Sequence, residues 1–286
     1  IVNSDWSSDV CSSDLFNWLL PTKSAFDSEG RIQPLGVKKG ELANRILSVG
    51  DPNRAFKMSQ RLDEGTVQIH QSNMIFCVYT GKYHGVDVSI IATGMGFAMA
   101  ELMVVQARAV VDGPLTIIRF GTCGSLHADV PIGCYAVSDK AYYIRQDFEK
   151  EDFPFEIAKN PIPFNCDLKD EIFKELQSLG KYKTVIGSDT SADTFYPSQG
   201  RIDDAFVNKN EHVIETILKN DPEALSFEME SYLLAFLSSK FPEANIRAAA
   251  VCLTLAQRTT GGFLDNERKS QMEHDACTVL LNVLAK

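Results

Sequence analysis

Gln199 and Arg201 stand two residues apart in the stretch Ser191–Arg201, with Gly200 between them. On an extended segment, both side chains would point to one face. An amide and a guanidinium side by side offer one acceptor and several donors to a flat polar edge. Uracil has such an edge, with two carbonyls and a ring N–H. Phe195, four residues earlier, adds an apolar wall. Taken alone, Pro197, Ser198 and Gly200 read as an ordinary surface turn, and only the rest of the chain argues for more.

Three other groupings could do chemistry. Gly50-Asp51-Pro52-Asn53-Arg54 follows a short apolar run and precedes an amphipathic segment. A helix starting there would present free N–H groups to an anion, with Arg54 in its first turn. The plain alternative is a βα turn capped by Asp51. Arg119 is set into Thr116-Ile117-Ile118-Arg119-Phe120 and is followed by Gly121-Thr122-Cys123-Gly124-Ser125. Arginine is seldom buried without a partner, and its planar fork suits phosphate or carboxylate. It reads either as a ligand arginine beside a glycine-rich loop or as half of a structural ion pair. Glu228 and Glu230 fall near the start of an apolar segment running to about residue 239. A helix dipole favours them there, and Glu230 could also accept from a pair of sugar hydroxyls.

The elements that must position these residues follow from periodicity. Strands are expected at 46–49, 67–79, 86–93, 116–120, 133–139, 185–188 and 247–254. Helices are expected from the Pro52 region to Leu62, and over 98–111, 167–179, 211–219, 226–239 and 266–284. Residues 140–166 read as a long excursion carrying Pro154, Pro161 and Pro163. Strands and helices alternate without a linker or repeat, which predicts one α/β domain with a central twisted mixed β-sheet flanked by helices. Thr93-Gly94-Met95-Gly96 is not a G-x-G-x-x-G fingerprint, since position 99 is Met, so a dinucleotide site is not expected.

Composition narrows the function classes. The 286 residues are 44% hydrophobic and 23% charged, as in an ordinary globular protein. A net charge of −10 argues against nucleic acid or an anionic membrane as partner. An anionic substrate would need a local cluster of cations. Seven scattered cysteines without C-x-x-C point to a reducing, cytoplasmic setting. Five histidines lack paired spacing, so no metal site is expected. No apolar run reaches membrane-span length. Residues 1–15, with Ser-Ser-Asp twice, read as a non-native or disordered extension; the domain is taken as 16–286.

Together the groupings make a phosphate cradle, a sugar clamp and a base reader. On four motifs the chain resembles the uridine phosphorylases of the nucleoside phosphorylase-I superfamily. These are Gly50-Asp51-Pro52-Asn53-Arg54, Arg119-Phe120-Gly121-Thr122-Cys123-Gly124, Asp193 to Arg201, and Phe227-Glu228-Met229-Glu230-Ser231. The resemblance covers about residues 33–284. It implies that Gly50, Arg54, Arg119 and Thr122 hold phosphate and that Met229, Glu230, Thr93 and Gly94 hold ribose. Phe195, Gln199, Arg201 and Arg258 would hold the base, with Arg119, Arg201 and Glu230 carrying the catalysis. It further implies uridine phosphorolysis, no cofactor beyond phosphate as co-substrate, and a homo-oligomer, expected to be a dimer with sites near its interface. The loop after the late strand, Thr254-Leu255-Ala256-Gln257-Arg258, lacks the Asp of purine-cleaving relatives. Two departures stand out. No Arg lies between Arg61 and Arg108, where the family receives a second-subunit Arg on phosphate, and Pro34 falls where a second-subunit His is usual. A phosphate-independent nucleosidase and a non-catalytic nucleoside-binding protein remain as alternatives.

Overall fold

The computed structural model describes residues 24–72 and 75–286. The expected extension at 1–15 lies outside them.

Eleven strands form one mixed sheet among the described residues. β1 (Arg45–Val49), β4 (Val86–Ala92) and β5 (Leu115–Ser125) run parallel, with β1 between the other two. β11 (Ile246–Gln257) lies parallel to β5 on its far side. Beyond it come β6 (Tyr135–Gln146), β9 (Thr184–Ala192) and β10 (Ala224–Glu228). β10 then pairs back onto β5, antiparallel, through Ser226↔Ser125 and Phe227↔Gly124. The strands β5, β11, β6, β9 and β10 therefore close on themselves, while β2 (Gln68–Gln71) and β3 (Cys77–Tyr83) extend the open side. Short strands β7 (Phe155–Ile157) and β8 (Ile162–Pro163) pair with β6.

Helices cover both faces. α1 (Pro52–Ser59), α3 (Leu168–Ser178) and α6 (Asn266–Leu284) pack over one core, built on Leu47, Ile118, Phe120 and Val251. α2 (Phe97–Val110) and α5 (Ser231–Lys240) pack over the other, built on Ile46, Ile117, Ala248 and Ala250. Successive residues of β1, β5 and β11 thus feed opposite layers, which is why these strands read as continuous apolar runs. α4 (Val213–Asn220) closes a third, smaller cluster with Phe227 and Ile144.

The expected fold class stands, but four elements differ. The single strand expected at 67–79 is two strands, β2 and β3, and the turn into β4 lies at His84–Gly85. Gly121 to Ser125 is not a loop. It continues β5, because β11 supplies backbone partners as far as Gln257↔Ser125. Much of the 140–166 excursion is strand, with β6 running to Gln146. Ser226-Phe227-Glu228 belongs to β10, and the helix begins only at Ser231.

Candidate active site

A cavity of about 520 Å³ opens at the carboxyl ends of β1, β4 and β5, against the closed part of the sheet. Ligands enter α/β sheets at such strand ends. Gly50, Arg54, Gly94, Arg119, Thr122, Phe195, Gln199, Arg201, Met229, Glu230 and Arg258 all line it. Of the expected site residues only Thr93 is missing from its wall. Its hydroxyl is used by the fold, donating to the carbonyl of Val49 at 3.1 Å.

One end of the cavity is built around Arg119. Its register neighbours are Ser48 on β1 and Ala250 on β11, which hold it level with the end of β1. One nitrogen, Nη2, lies 2.8 Å from Glu230 Oε2. Its Nε and Nη1 are buried without a hydrogen-bond partner among the described residues. Leaving buried donors unpaired costs about 1–3 kcal/mol each, so this guanidinium is poised to bind an anion. Burial works against its charge, but the Glu230 and Glu228 carboxyls outweigh burial and hold its pKa above the ordinary value. Thus neither alternative for Arg119 excludes the other. It is half of an ion pair and still presents open donors.

Arg54 is more committed than the spacing suggested. Its Nε donates to Glu273 Oε1 at 2.8 Å and its Nη1 to the carbonyl of Phe120 at 3.3 Å. The helix start is also partly occupied. Asp51 caps it, accepting from Asn53 N at 2.8 Å and Arg54 N at 3.4 Å. The plain capped turn is therefore present, and it still delivers Gly50 and Arg54 to the cavity wall.

Glu230 stands at the N-cap of α5. Its Oε1 accepts from Gly96 N at 2.6 Å, which ties it to the glycine turn before α2. Glu228 does not point along the same helix. It ends β10, and its carboxyl accepts the backbone N–H of Glu230 and of Ser231.

The structure corrects the extended geometry expected for Gln199 and Arg201 and gives the turn in its place. They do not lie on an extended segment. Residues 197–200 form a turn, closed by Gly200 N donating to Pro197 O at 3.0 Å, with Gly200 at φ +61°. A left-handed φ favours glycine at that position. The turn brings the side chains together all the same: Arg201 Nη2 donates to Gln199 Oε1 at 3.2 Å. Gln199 Nε2 donates to the carbonyl of Glu228 at 3.3 Å, so this amide is braced at both ends. Arg201 stacks 4.2 Å above the ring of Phe195. Arg258 Nη2 donates to the carbonyl of Gln199 at 2.5 Å. Burial lowers the pKa of both arginines, and Arg201 lowers that of Arg258 further. Thr254 to Gln257, expected as part of a loop, end β11 instead, and the Gln257 side chain donates to Ser125 Oγ and to the carbonyls of His127 and Val130.

Sequence reasoning missed Lys269, Phe263 and Leu255 on the wall. Lys269 Nζ lies 3.5 Å from Glu273 Oε1, beside Arg54. Its Lys-Glu spacing on the last helix was visible, but nothing local tied that helix to the phosphate end. Among the described residues no cluster of His, Cys, Asp and Glu could hold a metal ion. No helix among them is long and apolar enough to cross a membrane.

Residues 44–285 match the family model of the Phosphorylase superfamily. Among solved structures, a uridine phosphorylase of the oomycete Phytophthora capsici superposes with a TM-score of 0.88 at 32% identity, over 93% of this chain and 97% of that one. A Trypanosoma brucei nucleoside phosphorylase shares the fold, with a TM-score of 0.76 at 21% identity over 92% and 99% of the two chains. The chain is 27% identical to a uridine phosphorylase of Thermococcus kodakarensis over 82% of its own length and 80% of the relative's. It is 34% identical to a DeoD-type purine nucleoside phosphorylase of Streptococcus gordonii, over 57% and 66%. With most of its length inside the family match and its cavity at the family's four motifs, this chain belongs to the phosphorylase superfamily.

Proposed function

We propose that the chain catalyses the reversible phosphorolysis of uridine to uracil and ribose 1-phosphate. The observation that carries this reading is the cavity itself. It sets the open donors of Arg119, the carboxylate of Glu230 and the Gln199–Arg201 pair along one wall. Phosphate would sit on Arg119, Thr122, Gly50 and Arg54, with Lys269 behind. Ribose would lie over Met229 and Gly94, its two ring hydroxyls donating to Glu230. Uracil would lie against Phe195 with its polar edge on Gln199 and Arg201, and Arg258 bracing the turn.

The chemistry is then electrostatic. The C1′–N1 bond breaks with its electron pair leaving on uracil, and a phosphate oxygen forms the new bond to C1′. Positive charge grows on the sugar and is met by phosphate and Glu230. Negative charge grows on uracil and is met by Arg201, where fixed donors act most strongly on the transition state. Uracil leaves as its anion and takes a proton from solvent. Arg119, Arg201 and Glu230 are the catalytic residues, and the reaction needs no cofactor.

The working unit in this reading is a homodimer. The outer strand β2 exposes Ile69, and exposed Ile75 stands beside Gly94 at the cavity. A partner packed there would cover both and reach the site. The position near Met74, where the family's second-subunit Arg would fall, lies outside the described residues. A reducing cytoplasm suits the chain, since its six described cysteines are free thiols. Assaying uridine, thymidine, cytidine and inosine with phosphate tests the reading. Uridine is expected to lead the panel; preferred turnover of inosine would overturn it.

A further inference from the structure

Five cations line the cavity: Arg54, Arg119, Arg201, Arg258 and Lys269. Four of them are already engaged. Arg201 and Arg258 are held at the Gln199 turn. Arg54 and Arg119 each have a carboxylate at 2.8 Å, Glu273 and Glu230 respectively. Asp51 adds another acid to the same wall. Those pairs alone give the Arg119 side of the cavity no excess of positive charge. A chain of net charge −10 repels an anion, so a local excess is what would draw phosphate in. Lys269 supplies it. Its carboxylate neighbour is Glu273, and Arg54 already uses that group.

The two cations on Glu273 differ in freedom. Arg54 is fixed. Its Nε donates to Glu273 Oε1 at 2.8 Å, its Nη1 donates to the carbonyl of Phe120 at 3.3 Å, and its guanidinium lies 5.5 Å above the Phe120 ring. Lys269 Nζ stands 3.5 Å from the same Glu273 oxygen. That is longer than a charge-assisted hydrogen bond. Its ammonium makes no hydrogen bond among the described residues. Three donors on a flexible four-carbon stem are therefore open. The Lys269 side chain also keeps 27% of its exposure, against 6% for Arg54 and 10% for Glu273. It can turn from Glu273 toward an anion while Glu273 stays paired with Arg54.

Nothing in the helix calls for a lysine at this position. Lys269 is the fourth residue of α6, whose start is capped by Asp265 accepting from Arg268 N. A cation at a helix start opposes the dipole. Lys before Glu at i, i+4 is also the weaker order for such a pair.

We propose that Lys269 is a phosphate ligand, its ammonium turning from Glu273 onto a phosphate oxygen as the anion settles against Arg119. This deepens the phosphorolytic reading above, which leaves Lys269 behind the anion, and it rests on that reading. Lys269 then neutralises one oxygen of the nucleophile while another forms the bond to C1′. The ammonium keeps its protons throughout.

The test compares wild type with Lys269→Met, which removes the charge and keeps the length of the side chain. Calorimetric titration of the free protein with inorganic phosphate should give a Kd about tenfold weaker for Lys269→Met. In steady state the phosphate KM should rise by a similar factor, with uridine KM moving less than about threefold. The melting temperature without phosphate should stay within about 2 °C of wild type, because a loose, partly exposed ion pair contributes little to the fold. Equal phosphate affinity in the two proteins would overturn the proposal. So would weakened affinity together with a large fall in the phosphate-free melting temperature, the pattern of a lysine that merely braces Glu273 and Arg54. The titration needs no uridine. Binding weakened in Lys269→Met, in a wild type that does not turn over uridine, would support the contact and overturn the choice of nucleoside. A wild type that takes up no phosphate would overturn the phosphate site and this contact together.

Discussion

Arg119 Nη2 lies 2.8 Å from Glu230 Oε2, and the two buried side chains form an ion pair in the cavity wall. The pair spends one guanidinium nitrogen and leaves Nε and Nη1 unpartnered. Binding phosphate would complete the hydrogen bonding of a charge that the empty fold only half satisfies.

Arg119→Met should therefore cost activity in a particular way. It removes the anion donors and leaves the Glu230 carboxylate buried with a bond lost. We expect kcat/KM for phosphate to fall by about 10²–10³, the usual cost of losing a preorganised transition-state donor. Steady-state kinetics with phosphate varied at saturating uridine checks this. An unchanged phosphate KM and kcat would place the anion elsewhere.

Arg201→Ala acts at the other end. Arg201 donates to Gln199 and stacks on Phe195, the side chains the proposal assigns to the base. Uridine turnover should drop by about 10²-fold, while phosphate KM moves less than about threefold. Equal losses for both substrates would mean that the variant disturbs the whole cavity rather than the base.

Glu273→Ala tests the second buried pair. Arg54 and Glu273 meet at 2.8 Å, both nearly buried. Removing one partner strands the other charge and typically costs about 3–5 kcal/mol. In a chain of this size that is a fall in Tm of about 10 °C. Phosphate KM should rise as well, because Arg54 loses the anchor that aims it. Thermal melts with and without phosphate report both effects, and an unshifted Tm would contradict the assignment.

Gly124→Ala probes the base end from beneath. A Cβ on Gly124 would come within 2.6 Å of Arg258 Cγ and 2.8 Å of its Cδ. Arg258 would have to leave the Gln199 carbonyl. Overpacking of this kind costs about 1–3 kcal/mol. Uridine KM should rise by about tenfold with little change for phosphate. A crystal structure of the variant with Arg258 unmoved would sink the explanation.

The site was more legible in the sequence than the strands that carry it. Arg119, Arg54 and Glu230 stood out because a charge in an apolar run or a helix start is locally unusual. The course of β5 did not, because Gly121 and Gly124 read as loop until β11 supplies the ladder partners. Phe227 and Glu228 read as helix for a similar reason. Their strand exists only because β9 and β5 flank it. The Gln199–Arg201 pair was expected from the right residues by the wrong route, an extended face in place of the Gly200 turn. Lys269 carried no local signal. It reaches the cavity wall beside Arg54 and Glu273 only because α6 packs beside α1. Apart from the local turn at Gly200, what the chain's order hides is pairing between distant segments.

In the proposed reaction the anion held by Arg119 is the nucleophile. The direct measurement is uracil release from uridine by the intact protein, with and without inorganic phosphate, identifying the sugar product. The account predicts release that saturates with phosphate, falls to background without it, and yields ribose 1-phosphate. Release at full rate without phosphate, with free ribose as product, would contradict it and make the enzyme a nucleosidase.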